Sequence, residues 1–363
     1  MPADFKKATI DSYAELNNRY DDSRVQETYG NVAISNVFAS GRVVSAIPQI
    51  DFSALSEYVE YSRSRGIDFC YTINASYMQN QEFTDEGIDK IRVFLDKLEE
   101  AGVRCLIVAL PSLMELIIES GYDFEIKASV ISQITTVNKA MAFKNMGVDR
   151  ISLDESINRD FDTLRRIRQS FGNQVEIIVN SVCHQDCHYR MFHYNQISGD
   201  SVGEPNRTSS TYYKARCAMR LYNDVGGFLK TTWIRPEDLR YYRNIGINHF
   251  KLQGRQTALY GDPARAVECY FREQYEGDLK DLLFMFAPSD SFKLSVQNDK
   301  LEGFIKPFVE NEGFCSRDCT RCRYCESFAE KIFDRRSLEN TMKTVRDYLV
   351  DHDAYRDMIR NRK

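Results

Sequence analysis

Between residues 25 and 252, short apolar runs alternate with longer stretches whose apolar positions recur every three or four residues. The short runs predict strands at 25–29, 67–73, 103–109, 124–129, 148–153, 175–179, 228–232 and 247–252. The longer stretches predict helices at 52–64, 86–101, 113–120, 136–146 and 160–171, and Pro236 opens another. Residues 1–22 read as a polar helical preamble. Residues 195–215 are rich in Ser, Asn, Gly and Tyr and read as a long polar loop. Eight strand-then-helix units are the arithmetic of an α/β (β/α)8 TIM-like barrel. An open doubly wound sheet is disfavoured, because no glycine-rich phosphate fingerprint follows an early strand. The alternation stops near Tyr275. The chain therefore divides into a barrel, 1–275, and a cysteine-rich, helical C-terminal extension, 276–363, with helices expected at 279–286 and 329–358.

Composition narrows the function classes. A net charge of −5 supplies no basic field, so there is no strong nucleic-acid signal. The first residues lack the apolar core of an export signal. The longest apolar run, 103–118, carries Arg104 and Glu115 and is broken by Pro111, so no membrane span is expected. A cytoplasmic location follows as the expectation. Ten cysteines in such a compartment point to metal or redox roles rather than a disulfide framework.

The cysteines form two groups. Cys315, Cys319, Cys322 and Cys325 are spaced C-x3-C-x2-C-x2-C, which suits an iron–sulfur cluster, with structural zinc as the alternative. Zinc pairs are usually split by a longer loop, which favours iron–sulfur here. The first three also match the spacing of radical S-adenosylmethionine enzymes. That motif belongs after the first strand of a barrel, and Cys325 would fill the iron position it leaves open. Cys183 and Cys187 follow the 175–179 strand, and Cys217 lies beyond the polar loop, so these three make a second metal-ligand candidate. His184, His188 and His193 lie in the same stretch, with His184 and His188 as acid/base candidates. Cys70, Cys105 and Cys269 read as core. Polar residues also collect at strand ends. Asp154 and Glu155 are placed for catalysis, and Lys127, Arg235, Lys251 and Arg255 for binding a carboxylate or phosphate.

Several segments resemble, in order, those of the collagenase-like peptidases, the thirty-second family of the unclassified peptidases. They are RGIDFCYTIN at 65–74, the strand at 103–109, KAS at 127–129, GVDRISLDE at 147–155 and FKLQGR at 250–255. The resemblance covers roughly residues 50–275. It implies a barrel and often a 4Fe–4S cluster held by cysteines after the sixth strand. It also implies oxygen-independent hydroxylation of a quinone ring or RNA base with prephenate as oxygen donor, while other members carry a collagen-protease label. The chain departs from the family pattern at Asn180, Ser181 and Gln253, where His, Gly and Glu are usual. The tail cysteines, with WIRPEDL at 233–239, resemble a subgroup.

The sequence reading is thus a barrel enzyme with one 4Fe–4S cluster on Cys183, Cys187, Cys217 and a tail cysteine, with a second metal centre open to the remaining tail cysteines. It would hydroxylate a biosynthetic small molecule or modified polymer with an anionic donor such as prephenate as co-substrate. The alternatives are a peptidase, and a non-catalytic iron–sulfur subunit with a protein partner. Neither a Ser/His/Asp arrangement nor an H-E-x-x-H motif supports proteolysis.

Overall fold

The computed structural model describes residues 1–33, 39–42, 47–202, 207–288 and 294–362. Seven strands form one parallel sheet in chain order: β1 (Glu27–Gly30), β2 (Asp68–Ile73), β3 (Cys105–Val108), β4 (Glu125–Ala128), β5 (Arg150–Ser152), β6 (Val175–Ile178) and β7 (His249–Lys251). Parallel neighbours need a crossover, and the helices Phe52–Ser64, Asp85–Glu100, Pro111–Glu119, Val137–Met146 and Phe161–Phe171 supply it. Their starts are set locally. Asp51, Thr84, Thr136 and Asp160 each accept a first-turn N–H with the side chain. Gly147, at φ 104°, stops its helix in a conformation that a residue with a Cβ rarely adopts.

The sheet curls. Lys127 on β4 reaches Glu27 on β1 and Glu176 on β6, which a flat sheet would hold too far apart. The Tyr29 hydroxyl meets the carbonyl of Leu252, just past β7, at 3.0 Å. Residues 1–3 run parallel to β1 on its outer side. Tyr29 N donates to Met1 O at 2.8 Å, and Ala3 N to Tyr29 O at 2.9 Å.

Two expectations are corrected. The predicted strand at 228–232 is a turn, with only an isolated antiparallel bridge between His184 and Thr231. The described residues therefore form a curled seven-stranded sheet rather than a complete eight-stranded barrel. The reason is local. Gly226 packs so close to the tail that an added Cβ would lie 2.8 Å from Glu326 N, and the Trp233 indole donates back to Phe228 O at 3.1 Å. The polar loop expected at 195–215 is instead largely helical, as Arg190–Asp200 and Arg207–Tyr222, with residues 203–206 outside those described. The second helix carries no leucine stripe. It packs through Tyr212 against Tyr355 and through an Arg216–Asp353 ion pair at 2.7 Å.

The single tail helix expected at 329–358 is three: Tyr324–Ile332, Arg335–Asp351 and Ala354–Arg360. Leu338, Met342, Val345 and Leu349 place the second of these in the same hydrophobic core as the sheet. Among the described residues, no helix is long and apolar enough to cross a membrane.

Candidate active site and thiol centres

The inside of the curl is charged. Lys127, 1% exposed, pairs with Glu27 and, at 3.0 Å, with Glu176. Arg150 pairs with Glu27 at 2.5 Å and with Glu125. Lys251 reaches Glu176 at 3.2 Å and lies 4.2 Å from the Tyr29 ring. Ser152 donates to Glu176 at 2.6 Å. Burial pushes both carboxyls up, but Lys127 and Arg150 outweigh it for Glu27 and hold it down to about 2. Lys127 and Lys251 likewise hold Glu176 well below the carboxylate range. A cavity of about 430 Å³ opens onto Glu27, Tyr29, Arg150, Glu176 and Lys251.

Lys127 and Lys251 are therefore neutralised within the sheet. Arg235 is also spoken for: it forms a two-pronged pair with Asp238 at 2.9 Å and donates to Asn298 O. Of the four cations expected to form an anion-binding rim, only Arg255 keeps no carboxylate partner among the described residues. It is 7% exposed and donates to the side-chain oxygen of Asn31. Burial, helped by the neighbouring Arg42, brings its guanidinium down to about 9. His193 belongs to the same basic corner. Burial lowers its imidazole to about 4, with Lys214 and Arg42 adding to the shift.

Cys70 and Cys105, expected as separate core residues, sit directly opposite one another on β2 and β3 and are joined as a disulfide. Arg150 lies 3.5 Å from each sulfur. With Glu27 they form the tightest set of potential metal ligands among the described residues. Lys127 and Arg150 already neutralise that carboxylate, so the surroundings do not favour a cation.

At the C-terminal ends of the strands, Asp154 and Glu155 share one cation. Arg190 Nη1 lies 2.7 Å from Asp154 Oδ1 and 3.3 Å from Glu155 Oε2, and Nη2 donates to His184 O at 2.9 Å. Ser181 donates to Glu155 at 3.2 Å. Asn180 brackets the ends of β6 and β7: it accepts from Gln253 N at 2.7 Å and donates to Gln253 O at 2.8 Å. Its side chain is fully used by main chain. Ser198, in the helix Arg190–Asp200, accepts from Ser76 N at 3.0 Å and so draws that helix across the mouth.

The first thiol group hangs on this frame. Burial raises Cys183 to about 12; Glu155 adds to the shift and Arg190 opposes it. The same group includes Cys217, raised by burial and by Cys187. His184 is buried and bonded through its ring to the Cys217 backbone, while Nε2 has no hydrogen-bond partner among the described residues. Burial and Arg220 lower its imidazole to about 4, which leaves it neutral and able to offer a lone pair. His188 is exposed and lies against the Tyr189 ring. The three thiols act on one another electrostatically, and a thiol-ligated group at this point would be held by Cys183, Cys187 and Cys217.

The second thiol group lies across the 183–187 loop. Cys315, Cys319, Cys322 and Cys325 line one cleft with Gln185, Lys230 and Arg159. Cys315 Sγ lies 3.8 Å from Gln185 Oε1, and Arg317 pairs with Asp186 at 3.1 Å.

Residues 40–276 match peptidase family U32. The chain belongs to this family. An uncharacterized protease of Methanocaldococcus jannaschii is 29% identical over 281 residues, which cover 77% of this chain and 82% of that protein. A solved U32 peptidase, Mk0906, aligns with a TM-score of 0.42 at 18% identity, over 49% of this chain and 69% of its own. The family match takes in β2–β7, both acids at Asp154 and Glu155, and the thiols Cys183, Cys187 and Cys217, but stops short of the four tail cysteines. Within that span, the residues that sequence reasoning passed over are Arg42, Glu176 and Arg190. Glu176 stood in the strand preceding Cys183, and its two-residue alternation with the buried Val175 and Ile177 was the available signal.

Proposed function

We propose that this U32 chain is an enzyme whose reaction takes place at the C-terminal mouth of the sheet, beside a 4Fe–4S cluster held by Cys183, Cys187 and Cys217. The observation that carries the reading is the gathering of those thiols after β6, where Cys217 acts on Cys183 and Cys187 acts on Cys217. Arg255 and Arg42 supply a cationic corner for an anionic co-substrate, a carboxylate donor such as prephenate. Oxygen-independent hydroxylation of a small molecule or modified polymer is the reaction this combination suits. The cluster supplies one-electron chemistry when bound. The chain's own residues position the anion, keep His184 neutral and hold the loop through Arg190.

Peptide hydrolysis is the second reading, favoured by the description of the family and by the name of the archaeal relative. A peptidase that works through a side-chain nucleophile needs one that substrate can reach. Ser181, the serine that donates to Glu155, is fully buried, which weighs against it.

One experiment separates the two. Protein purified without oxygen is assayed for iron and sulfide, and for gelatin cleavage, as wild type and as Cys183→Ala/Cys217→Ala. The cluster reading expects the pair variant to lose about four irons and four sulfides. Unchanged iron, or gelatin cleavage that survives in the variant, would overturn it.

A further inference from the structure

Arg159 is buried, 6% exposed, and outside the curl of the sheet. Its guanidinium lies among the rings of Phe304, Trp233 and Phe308, at 4.9, 5.0 and 5.6 Å. Nη1 donates to Leu229 O at 2.5 Å, but Nε and Nη2 are buried with no hydrogen-bond partner among the described residues. Among the described residues, no carboxylate forms an ion pair with it. Asp238 acts on it only from a distance and is held by Arg235. A guanidinium does not shed its proton, so a buried one calls for a counter-charge.

Of the groups that act most strongly on Arg159, Tyr242 spends its hydroxyl on Asn158 O, and the other two are thiols. Cys315 and Cys325 act on Arg159 electrostatically, and all four tail cysteines line the cleft that it borders. As neutral thiols they offer no counter-charge, whereas as metal-bound thiolates they do. Their spacing bears on which metal. One zinc ion, with Zn–S bonds of about 2.3 Å, draws its sulfurs to within roughly 4 Å of one another. No three of the tail sulfurs lie within 4.8 Å of one another. A four-iron cube spreads its thiolates wider than a single ion does. The cleft holds about 30 Å³, and Cys319 and Cys322 are exposed, so they are free to move outward around a cube.

We propose that Cys315, Cys319, Cys322 and Cys325 hold a 4Fe–4S cluster of their own, with Arg159 as the buried positioning residue that balances its charge. On binding, each thiol gives its proton to solvent and forms one bond to iron. All four irons are then ligated by protein, so the centre passes electrons and does not bind substrate. This site stands apart from the thiols at the end of β6.

The test uses full-length protein purified without oxygen, assayed for iron, sulfide and zinc. In Cys183→Ala/Cys217→Ala, about four irons and four sulfides remain, with a visible band that dithionite bleaches. In Cys319→Ala/Cys322→Ala, which alters two exposed positions, that complement is lost while the circular dichroism is unchanged. Arg159→Met, made in the Cys183→Ala/Cys217→Ala background, moves the midpoint potential of the remaining centre to a more negative value; Arg159→Lys moves it less. If Arg159→Met yields no soluble protein, Arg159→Gln is read the same way. Iron and sulfide unchanged in the tail variant, or zinc without sulfide, would overturn the site. A midpoint unmoved by loss of the charge would overturn the role of Arg159.

Discussion

The Tyr29 hydroxyl donates to the main-chain carbonyl of Leu252 at 3.0 Å, so the first strand is tied to the segment that leaves the last. Burial pushes this phenol up to about 12, so it stays a donor at any ordinary pH. Tyr29→Phe keeps the ring over which Lys251 sits but strands a buried carbonyl. The expected cost is about 1–3 kcal/mol, read as a lower urea midpoint with an unchanged m-value.

Lys127 serves two carboxylates at once. Lys127→Met leaves Glu27 and Glu176 short of a cation inside the sheet and should cost about 3–5 kcal/mol. Adding Glu27→Gln should recover part of that loss. Double-mutant denaturation measures the coupling, and strict additivity would show that the pair does not interact.

The same carboxylates set the acid limb of stability. Glu27 titrates near 2 when folded against an ordinary 4.5, so the folded state favours its charged form. Its contribution is complete above about pH 4.5 and is lost as pH falls toward 2, a loss of roughly 3 kcal/mol. Thermal melts between pH 2 and 6 should fall steeply in that window for the wild type and less steeply for Glu27→Gln.

Among the described residues, Arg255 is the rim cation that pairs with no carboxylate. Small polycarboxylates should raise the melting temperature of the wild type, with stabilisation near 2.7 kcal/mol at about a hundred times Kd. Arg255→Met and Arg42→Met should each abolish that rise. A rise that persists in both would place the anion elsewhere.

Gly226 holds the tail against the turn at 225–230. Gly226→Ala places a Cβ 2.8 Å from Glu326 N, and main chain there has little room to yield. Destabilisation of about 1–3 kcal/mol is expected, with faster proteolytic trimming of the tail.

The strand-and-helix alternation was legible because it depends on local spacing: each of the seven described strands overlaps a segment whose pattern predicts one. The turn at 225–230 was not, because Phe228–Leu229 is as apolar as a strand, and what bends it is a contact with Glu326, almost a hundred residues away. The cysteine groups were legible from spacing, whereas the fate of the cations was not. Lys127 and Lys251 looked available at strand ends, yet Glu27 and Glu176 lie on strands remote in sequence and meet them only when the sheet curls. Arg190 was missed for the same reason. It stands in a polar stretch, and its partners Asp154 and Glu155 belong to another strand's exit. Cys70 and Cys105 are 35 residues apart, and their pairing depends on the register of β2 on β3.

The run of residues 1–3 beside β1 has a consequence for solubility. A parallel sheet that stops short of closure presents a border of free main-chain donors and acceptors, onto which a strand from another molecule can add. At Tyr29 those groups are already engaged, its N–H by Met1 and its carbonyl by Ala3. Among the described residues, the border at β1 is thereby blunted by residues 1–3, which protects it against addition of a foreign strand.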